Sequence, residues 1–289
     1  MDDHVHIRTA HGIYTTRGLN TGQNIRVCGI YRAGTGERVF EGSSYEKEVD
    51  EFGTGWTRDD PAAVVTHDVT GPHILLGIGS IEQTWDPFVP LELPGEWQRL
   101  YDVLAQFVPS QDIGIIGSRL IGIATDTSDA DLIVRGTDDN RQALRHAMPA
   151  IRNELGATQK LGEHLLERSI AKYEHLYGAK NNDFASMIER RWTTVNYAAG
   201  MQKIRFSTLH AAEPPGEERE ETTLEGRVSD AYRTDEMPRT FEVDGVRVRT
   251  YRWDYTNCVH DGDRVRVVGA IDDRGTIHIA RNGHGIAFI

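Results

Sequence analysis

The chain is poor in cysteine, in lysine and in long apolar runs. Of its 289 residues only two are cysteines, Cys28 and Cys258, far apart and neither in a Cys-x-x-Cys pair. That spacing excludes a zinc site of four thiolates and gives no basis for a disulfide framework. A reducing, cytoplasmic protein is the expectation. No apolar run approaches the roughly 20 residues that a spanning helix needs. The start, MDDHVHIRTAHG, is polar and carries acids, unlike a signal peptide. No membrane partner is expected. Only five of the 32 basic residues are lysines, the other 27 being arginines, and 44 acids set the net charge at -12. Such a balance reflects base composition or adaptation to salt more than fold. It argues against a broad basic face that coats duplex DNA, so any contact with nucleic acid is local.

What is present is an ordinary globular composition, 38% hydrophobic and 26% charged, in a chain long enough for two or three compact units. The texture changes twice. Residues 1–93 hold short apolar runs, IRVCGIYRA, VVTHDV and HILLGI, separated by turn-like stretches such as Ala-Gly-Thr-Gly at 33–36. They predict a β-rich domain, closed by a linker with Pro87, Pro90 and Pro94. Residues 94–210 alternate helical and strand periods. Trp97, Leu100, Leu104 and Phe107 share one helical face, and Asp138 and Asp139 offer caps for a helix bearing Leu144, Met148, Ile151 and Leu155. A further helix has Leu161, Leu165, Ile170, Tyr173 and Tyr177 as its inner face, and 203–208 alternates as a half-buried strand does. The acidic stretch AAEPPGEEREE at 211–221 reads as a solvated linker or long loop. From 222 to 289 nearly everything is strand-like, which predicts a small β barrel, OB-like as the first choice. The expected class is α+β, with no internal repeat.

The stretch that carries chemistry is GIIGSRLIGIATDTSDADLIVRG, residues 114–136. A short apolar strand ends at Ile116, and Gly117-Ser118 turn sharply toward Arg119. Glycine at such a turn lets backbone approach a ligand, backbone N–H groups beyond it can hold a phosphate, and Ser118 adds a hydroxyl. Ten residues, 119–128, separate that turn from Asp129-Ala130-Asp131 and the apolar Leu132-Ile133-Val134. Side chains two apart on a strand point the same way, so Asp129 and Asp131 project together. Two adjacent carboxylates repel unless cations lie between them. Mg²⁺ or Mn²⁺ suits such a pair and can bridge it to substrate phosphates.

A Gly-Ser turn, a ten-residue spacer and Asp-x-Asp before an apolar strand resemble the signature of the nucleotidyltransferase superfamily of the DNA polymerase beta type. That superfamily includes CCA-adding enzymes and antibiotic nucleotidyltransferases. GSRLIGIATDTSDADLIV resembles the version in its small archaeal and bacterial members, and strand-rich segments flank the motif as they do there. The resemblance implies a nucleotidyltransferase domain at 94–210. It implies transfer of a nucleoside monophosphate from a nucleoside triphosphate to a hydroxyl, with pyrophosphate leaving and Mg²⁺ (or Mn²⁺) assisting. Asp129 and Asp131 would be the catalytic, metal-binding pair, with Gly117, Ser118 and Arg119 beside the nucleotide. Active members carry a third carboxylate on a later strand. Here the candidate strand, 201–207, has Lys203 and Arg205 in its place, and the nearest acids are Glu189 and Glu213. Lys203 and Arg205 either hold a phosphate or form a solvated face. The alternative function is a non-catalytic nucleotide- or RNA-binding protein on the same scaffold.

Weaker features have plain readings. His4-x-His6, with His11, could chelate a metal, but a mobile N-terminus is the simpler account. Gly77-x-Gly79-Ser80 reads as a turn between strands, because no helix clearly follows it. Lys172 and Tyr173 read as an exposed and a packed helical residue. Arg247, Arg249, Tyr251, Arg252, Trp253 and Tyr255 interleave base and aromatic, as platforms for single-stranded nucleic acid do. A buried aromatic face explains the same pattern.

Overall fold

The computed structural model of the chain describes residues 1–18, 20, 22–47, 56–89, 93, 95–125, 128, 131–197, 200–209 and 213–289. It is a mixed α and β protein, with four α-helices among the described residues. The chain divides into two compact units: 1–66 with 73–159 and 193–211, and 67–72 with 160–192 and 212–289.

The first unit opens with β1 (His6–Thr9), β2 (Gly12–Thr16), β3 (Asn24–Phe40), β4 (Ser43–Lys47), β5 (Ala63–Asp68), β6 (Gly71–Gly77) and β7 (Gln83–Trp85). They form one sheet in the order β5-β6-β3-β2-β1-β7, with β4 paired to β3. Strand alternation gives this sheet two buried faces. Val5, Ile7, Tyr14, Ile25, Val27, Ile74 and Leu76 gather around Trp56, and Ile13, Tyr31 and Tyr45 form a second cluster. The turn expected at 33–36 is not a reversal. β3 runs through it, and Tyr45 of β4 opposes both Ala33 and Arg38, so the intervening residues bulge out of the ladder. A side chain on Gly36 would collide with the Tyr45 carbonyl, so the glycine serves close approach of two strands.

The same unit continues with α1 (Gly95–Leu104), β8 (Ile113–Ile116), β9 (Asp131–Arg135) and α2 (Asp138–Leu155), then β10 (Thr194–Tyr197), β11 (Gly200–Lys203) and β12 (Arg205–Ser207). Trp97, Leu100 and Leu104 of α1 are buried, as their spacing predicts. So are Leu144, Met148, Ile151 and Leu155 of α2. The cap of α2 is Thr137, whose hydroxyl accepts from the Asn140 N–H, and not Asp138 or Asp139. β8 and β9 are antiparallel, with Ile116 opposite Asp131. β12 lies parallel to β9 on its other side, with Arg205 opposite Ile133. The strand expected at 203–208 breaks at the fully buried Ile204: residues before it pair with β10 and residues after it with β9.

The second unit holds α3 (Glu163–Tyr177), α4 (Phe184–Arg190) and the strands β13 (Glu218–Ser229), β14 (Arg239–Val243), β15 (Val246–Thr250), β16 (Arg264–Asp272), β17 (Ile277–His278) and β18 (Gly285–Phe288). The pairing order β13-β14-β15-β17-β16 returns to β13, so five strands close into a ring, and β18 adds to β16. Asp244 and Gly245, both at positive φ, make the two-residue turn between β14 and β15. Tyr173, Tyr177, Phe184, Met187 and Ile188 share one core with Val228, Phe241, Val248, Val265 and Val267. Residues 160–192, read from sequence with the middle region, are thus grouped with the ring. Leu165, expected on the inner face of α3, is 37% exposed. The stretch read as a linker at 211–221 is strand from Glu218 onward, because β16 supplies its partner.

Candidate functional site

Asp131 is the first residue of β9, and the antiparallel register sets it against Ile116, one residue before Gly117. Gly117 has φ +79, a backbone shape that favours glycine, and a Cβ placed there would lie 3.8 Å from Asp131 Oδ2. The other carboxylate oxygen, Oδ1, is 3.5 Å from the Arg205 guanidinium, and both side chains are about a quarter exposed, 28% and 26%. The acid, the glycine turn and one cation therefore meet at the starting end of the central strand of the three-stranded sheet. Ser118 comes directly after the turn and is buried, with its carbonyl accepting from the Ile123 N–H. Asp129 lies outside the described residues. Of Lys203, the β11 backbone is described and the side chain is not.

The described residues that follow β8 form a series of turns from 117 to 122 and no helix. Apolar residues fix this stretch. Leu120, Ile121 and Ile123 are buried against Ile13, Tyr31, Tyr45, Phe40 and Trp85 of the large sheet. Arg119 donates to the Ser128 carbonyl at 2.7 Å, and Arg38 donates to the Ile123 carbonyl at 3.0 Å. Arg119, expected beside a nucleotide, is engaged in holding this loop. Thr125 and Ser128 close the loop on themselves through Thr125 N to Ser128 Oγ at 2.8 Å.

The N-terminal histidines are not on a mobile segment. Asp3, His4 and His6 are all buried. Asp3 accepts from the Gly18 N–H at 2.7 Å and from the Thr208 hydroxyl at 2.7 Å, which ties the segment into the fold. His6 stands opposite Thr15 on β2 and Trp85 on β7, on the sheet face that receives the spacer. Burial above all pushes the His6 imidazole down to about 4; the hydrogen bond with the His4 carbonyl and the nearby Asp131 charge work the other way. The ring is neutral at pH 7. The sequence carried one signal for this, the alternation of His6, Ile7 and Arg8 in a short strand. His11, by contrast, is exposed at the β1–β2 turn.

Elsewhere the basic and aromatic run does not stay on one strand; Tyr251 is half-buried, and the Trp253 side chain lies outside the described residues. β15 ends at Thr250, and the chain leaves the ladder there for a short 3-10 turn at Trp253–Tyr255. Arg252 and Tyr255 are buried, Arg252 pairing with Asp254 at 2.7 Å and lying over the Tyr177 ring at 4.2 Å. Arg249 is buried too and donates to the Glu213 carbonyl. Arg247 stays half exposed, beside the Glu213 carboxylate. Glu189 lies on α4, so both acids nearest the candidate strand in sequence belong to the second unit. Lys172 is exposed and Tyr173 buried. Residues 78–80 form a short turn between β6 and β7.

For a divalent cation, the described residues offer the Asp131 carboxylate; they contain no group of three His, Cys, Asp or Glu residues that could hold a metal ion. No described helix is long and apolar enough to cross a membrane. Comparison of the chain with protein-family models, curated proteins and solved structures finds no match.

Proposed function

We propose that the chain is a metal-dependent nucleotidyltransferase that moves a nucleoside monophosphate from a nucleoside triphosphate to a hydroxyl acceptor. The observation that carries this reading is the meeting of Asp131, the Gly117 turn and Arg205 at one end of the central strand. Asp129 and Asp131 hold Mg²⁺ or Mn²⁺, which neutralises the phosphates and orients them for in-line displacement. The backbone at Gly117-Ser118 approaches the triphosphate tail, and Arg205 adds a fixed positive charge. In this reading the small sheet β8-β9-β12 with its helices is the nucleotidyltransferase core. The ring of the second unit is an OB-like barrel, a reading supported by its pairing order, with β15 and β17 parallel.

Arg205 also favours a second reading. It stands on the strand where a third carboxylate would complete a two-ion site, and it already faces Asp131. A protein so built binds nucleotide or RNA without turnover.

One experiment separates them. Triphosphates labelled at the α-phosphate, supplied with Mg²⁺ or Mn²⁺ and candidate acceptors, leave label on an acceptor and release pyrophosphate if the protein is a transferase. Asp131→Asn then abolishes turnover while the fold survives. Binding without turnover selects the second reading, and a protein that neither binds nor transfers refutes both.

A further inference from the structure

Ser128 stands one residue before Asp129 and three before Asp131, and each of its polar groups is held. Its N–H donates to the Thr125 carbonyl at 2.9 Å, and its carbonyl accepts from Arg119 Nη2 at 2.7 Å. Its hydroxyl oxygen accepts from the Thr125 N–H at 2.8 Å and from Arg38 Nη1 at 3.4 Å, and lies 3.1 Å from the Thr125 hydroxyl. Loops are ordinarily the mobile parts of a fold. This one is fastened directly before the acids.

Arg38 is the member of the set that comes from another element. It lies on β3 of the large sheet, where Ala33 and Arg38 both oppose Tyr45 and the residues between them leave the ladder. A bulge re-aims the side chain beside it. The Arg38 guanidinium lies over the buried Tyr31 ring at 5.6 Å, and Nη1 reaches both the Ile123 carbonyl, at 3.0 Å, and Ser128. One nitrogen thus ties the two ends of 123–128 together. Beyond the loop, Asp131 is fixed by its pairing with Ile116, so only Asp129 and Ala130 separate the two anchors in the chain. Arg38, Arg119 and the loop all belong to the first unit.

Resting on the nucleotidyltransferase reading, we propose that Arg38 is a positioning residue: through Ser128 it fixes the segment that presents the acidic pair to the metal and nucleotide. The large β sheet is then part of the mounting of the site and not an appendage to it. In this assignment Arg38 touches neither metal nor substrate. Its effect runs through the placement of the acids, where an error of about 1 Å costs about a hundredfold in rate.

The test is a titration of the full chain with Mn²⁺, read by EPR, in the presence of a non-hydrolysable triphosphate whose α,β-bridging oxygen is replaced by methylene. In Arg38→Ala the Mn²⁺ dissociation constant rises at least about tenfold, the scale of losing a group that orients metal ligands, while the melting temperature stays close to that of the wild type. Ser128→Ala, which removes only the hydroxyl, moves the constant in the same direction. The double variant falls short of the product of the two effects, because the residues act along one route. A merely structural Arg38 would lower the melting temperature and leave Mn²⁺ affinity unchanged; that result, or full additivity in the double variant, overturns the assignment and leaves the proposed function intact. If Arg38→Ala does not fold, Ser128→Ala carries the test, and an unchanged dissociation constant there overturns the assignment as well. Failure of the wild type to bind Mn²⁺ with the triphosphate overturns both.

Discussion

The Arg205 guanidinium lies 3.5 Å from Asp131 Oδ1, reaching it from a strand parallel to the one Asp131 begins. Both groups are about a quarter exposed, so the pair adds only about 0–1 kcal/mol to stability. Under the proposed function its worth is positional, a fixed cation beside the phosphate. Arg205→Ala should leave the melting temperature nearly unchanged. It should raise the triphosphate concentration needed for half-maximal thermal stabilisation by about tenfold or more, the cost of one charge-assisted hydrogen bond. A titration of melting temperature against nucleotide, with Mg²⁺ constant, reads both effects. An unchanged midpoint would remove Arg205 from the phosphate site.

Ile121 tests whether the large sheet holds the loop that presents Gly117. It is 1% exposed and packs with Ile13 and Tyr31. Ile121→Ala should cost about 2–5 kcal/mol by cavity formation, read by urea unfolding. Nucleotide affinity should fall as well, although Ile121 touches no ligand. Loss of stability with full affinity would show that the Gly117 turn keeps its shape without this packing.

Stability should depend on pH through a buried pair in the second unit. His278 Nε2 is 2.9 Å from Asp272 Oδ2. Burial is the largest influence on His278 and lowers it below its ordinary 6.5, against the pull of Asp272. Burial also lowers His284. A histidine lowered in the folded state binds its proton more readily when unfolded. Its contribution is therefore complete above about pH 6.5 and is lost as pH falls toward the folded value. For Asp272 burial acts upward, but hydrogen bonds from His278 and the N–H groups of Thr276, Gly216 and Arg274 outweigh it and hold the carboxyl below 3.8. Its share persists at pH 5 and goes at stronger acid. Unfolding free energy should thus drop between pH 7.5 and 5, by up to about 1.4 kcal/mol per pH unit for each histidine that titrates. His278→Asn should flatten that slope; a slope unchanged by the substitution would acquit the pair.

Cys258 should be inert. It is fully buried, and burial pushes its thiol up to about 12. The thiolate is the reactive form. Aromatic disulfide reagents at pH 8 should therefore label Cys258 only as the protein unfolds, at a rate that tracks urea concentration.

Local chemistry made part of this fold legible. Apolar runs at 113–116 and 132–134, a glycine at the turn and the periodicity of Leu144, Met148 and Ile151 each act within a few residues, and each reads through to structure. The glycine at 36 misleads because its role depends on Tyr45, a residue of the next strand. The run from Arg247 to Tyr255 misleads because alternation says which residues share a face and nothing of where the strand stops. The burial of His6, read as part of a mobile N-terminus, escapes notice for a different reason. Its environment comes from β2 and β7, and no neighbour in sequence announces them.

The ring of the second unit has a consequence for how the chain is made. Its closing seam joins β13 to β16, so Gly226 meets Val265 only after some forty further residues have been synthesised. Until then β13 has only a brief pairing with β14 at Val228 and Ser229, and the rest of its backbone is an open template for other strands. Glu218, Glu220, Glu221 and Glu225 crowd that same stretch. Their mutual repulsion keeps a nascent strand from pairing with a copy of itself on a neighbouring ribosome. In the finished ring, partners such as Arg281 for Glu218 and Arg266 for Glu225 quench the same charges.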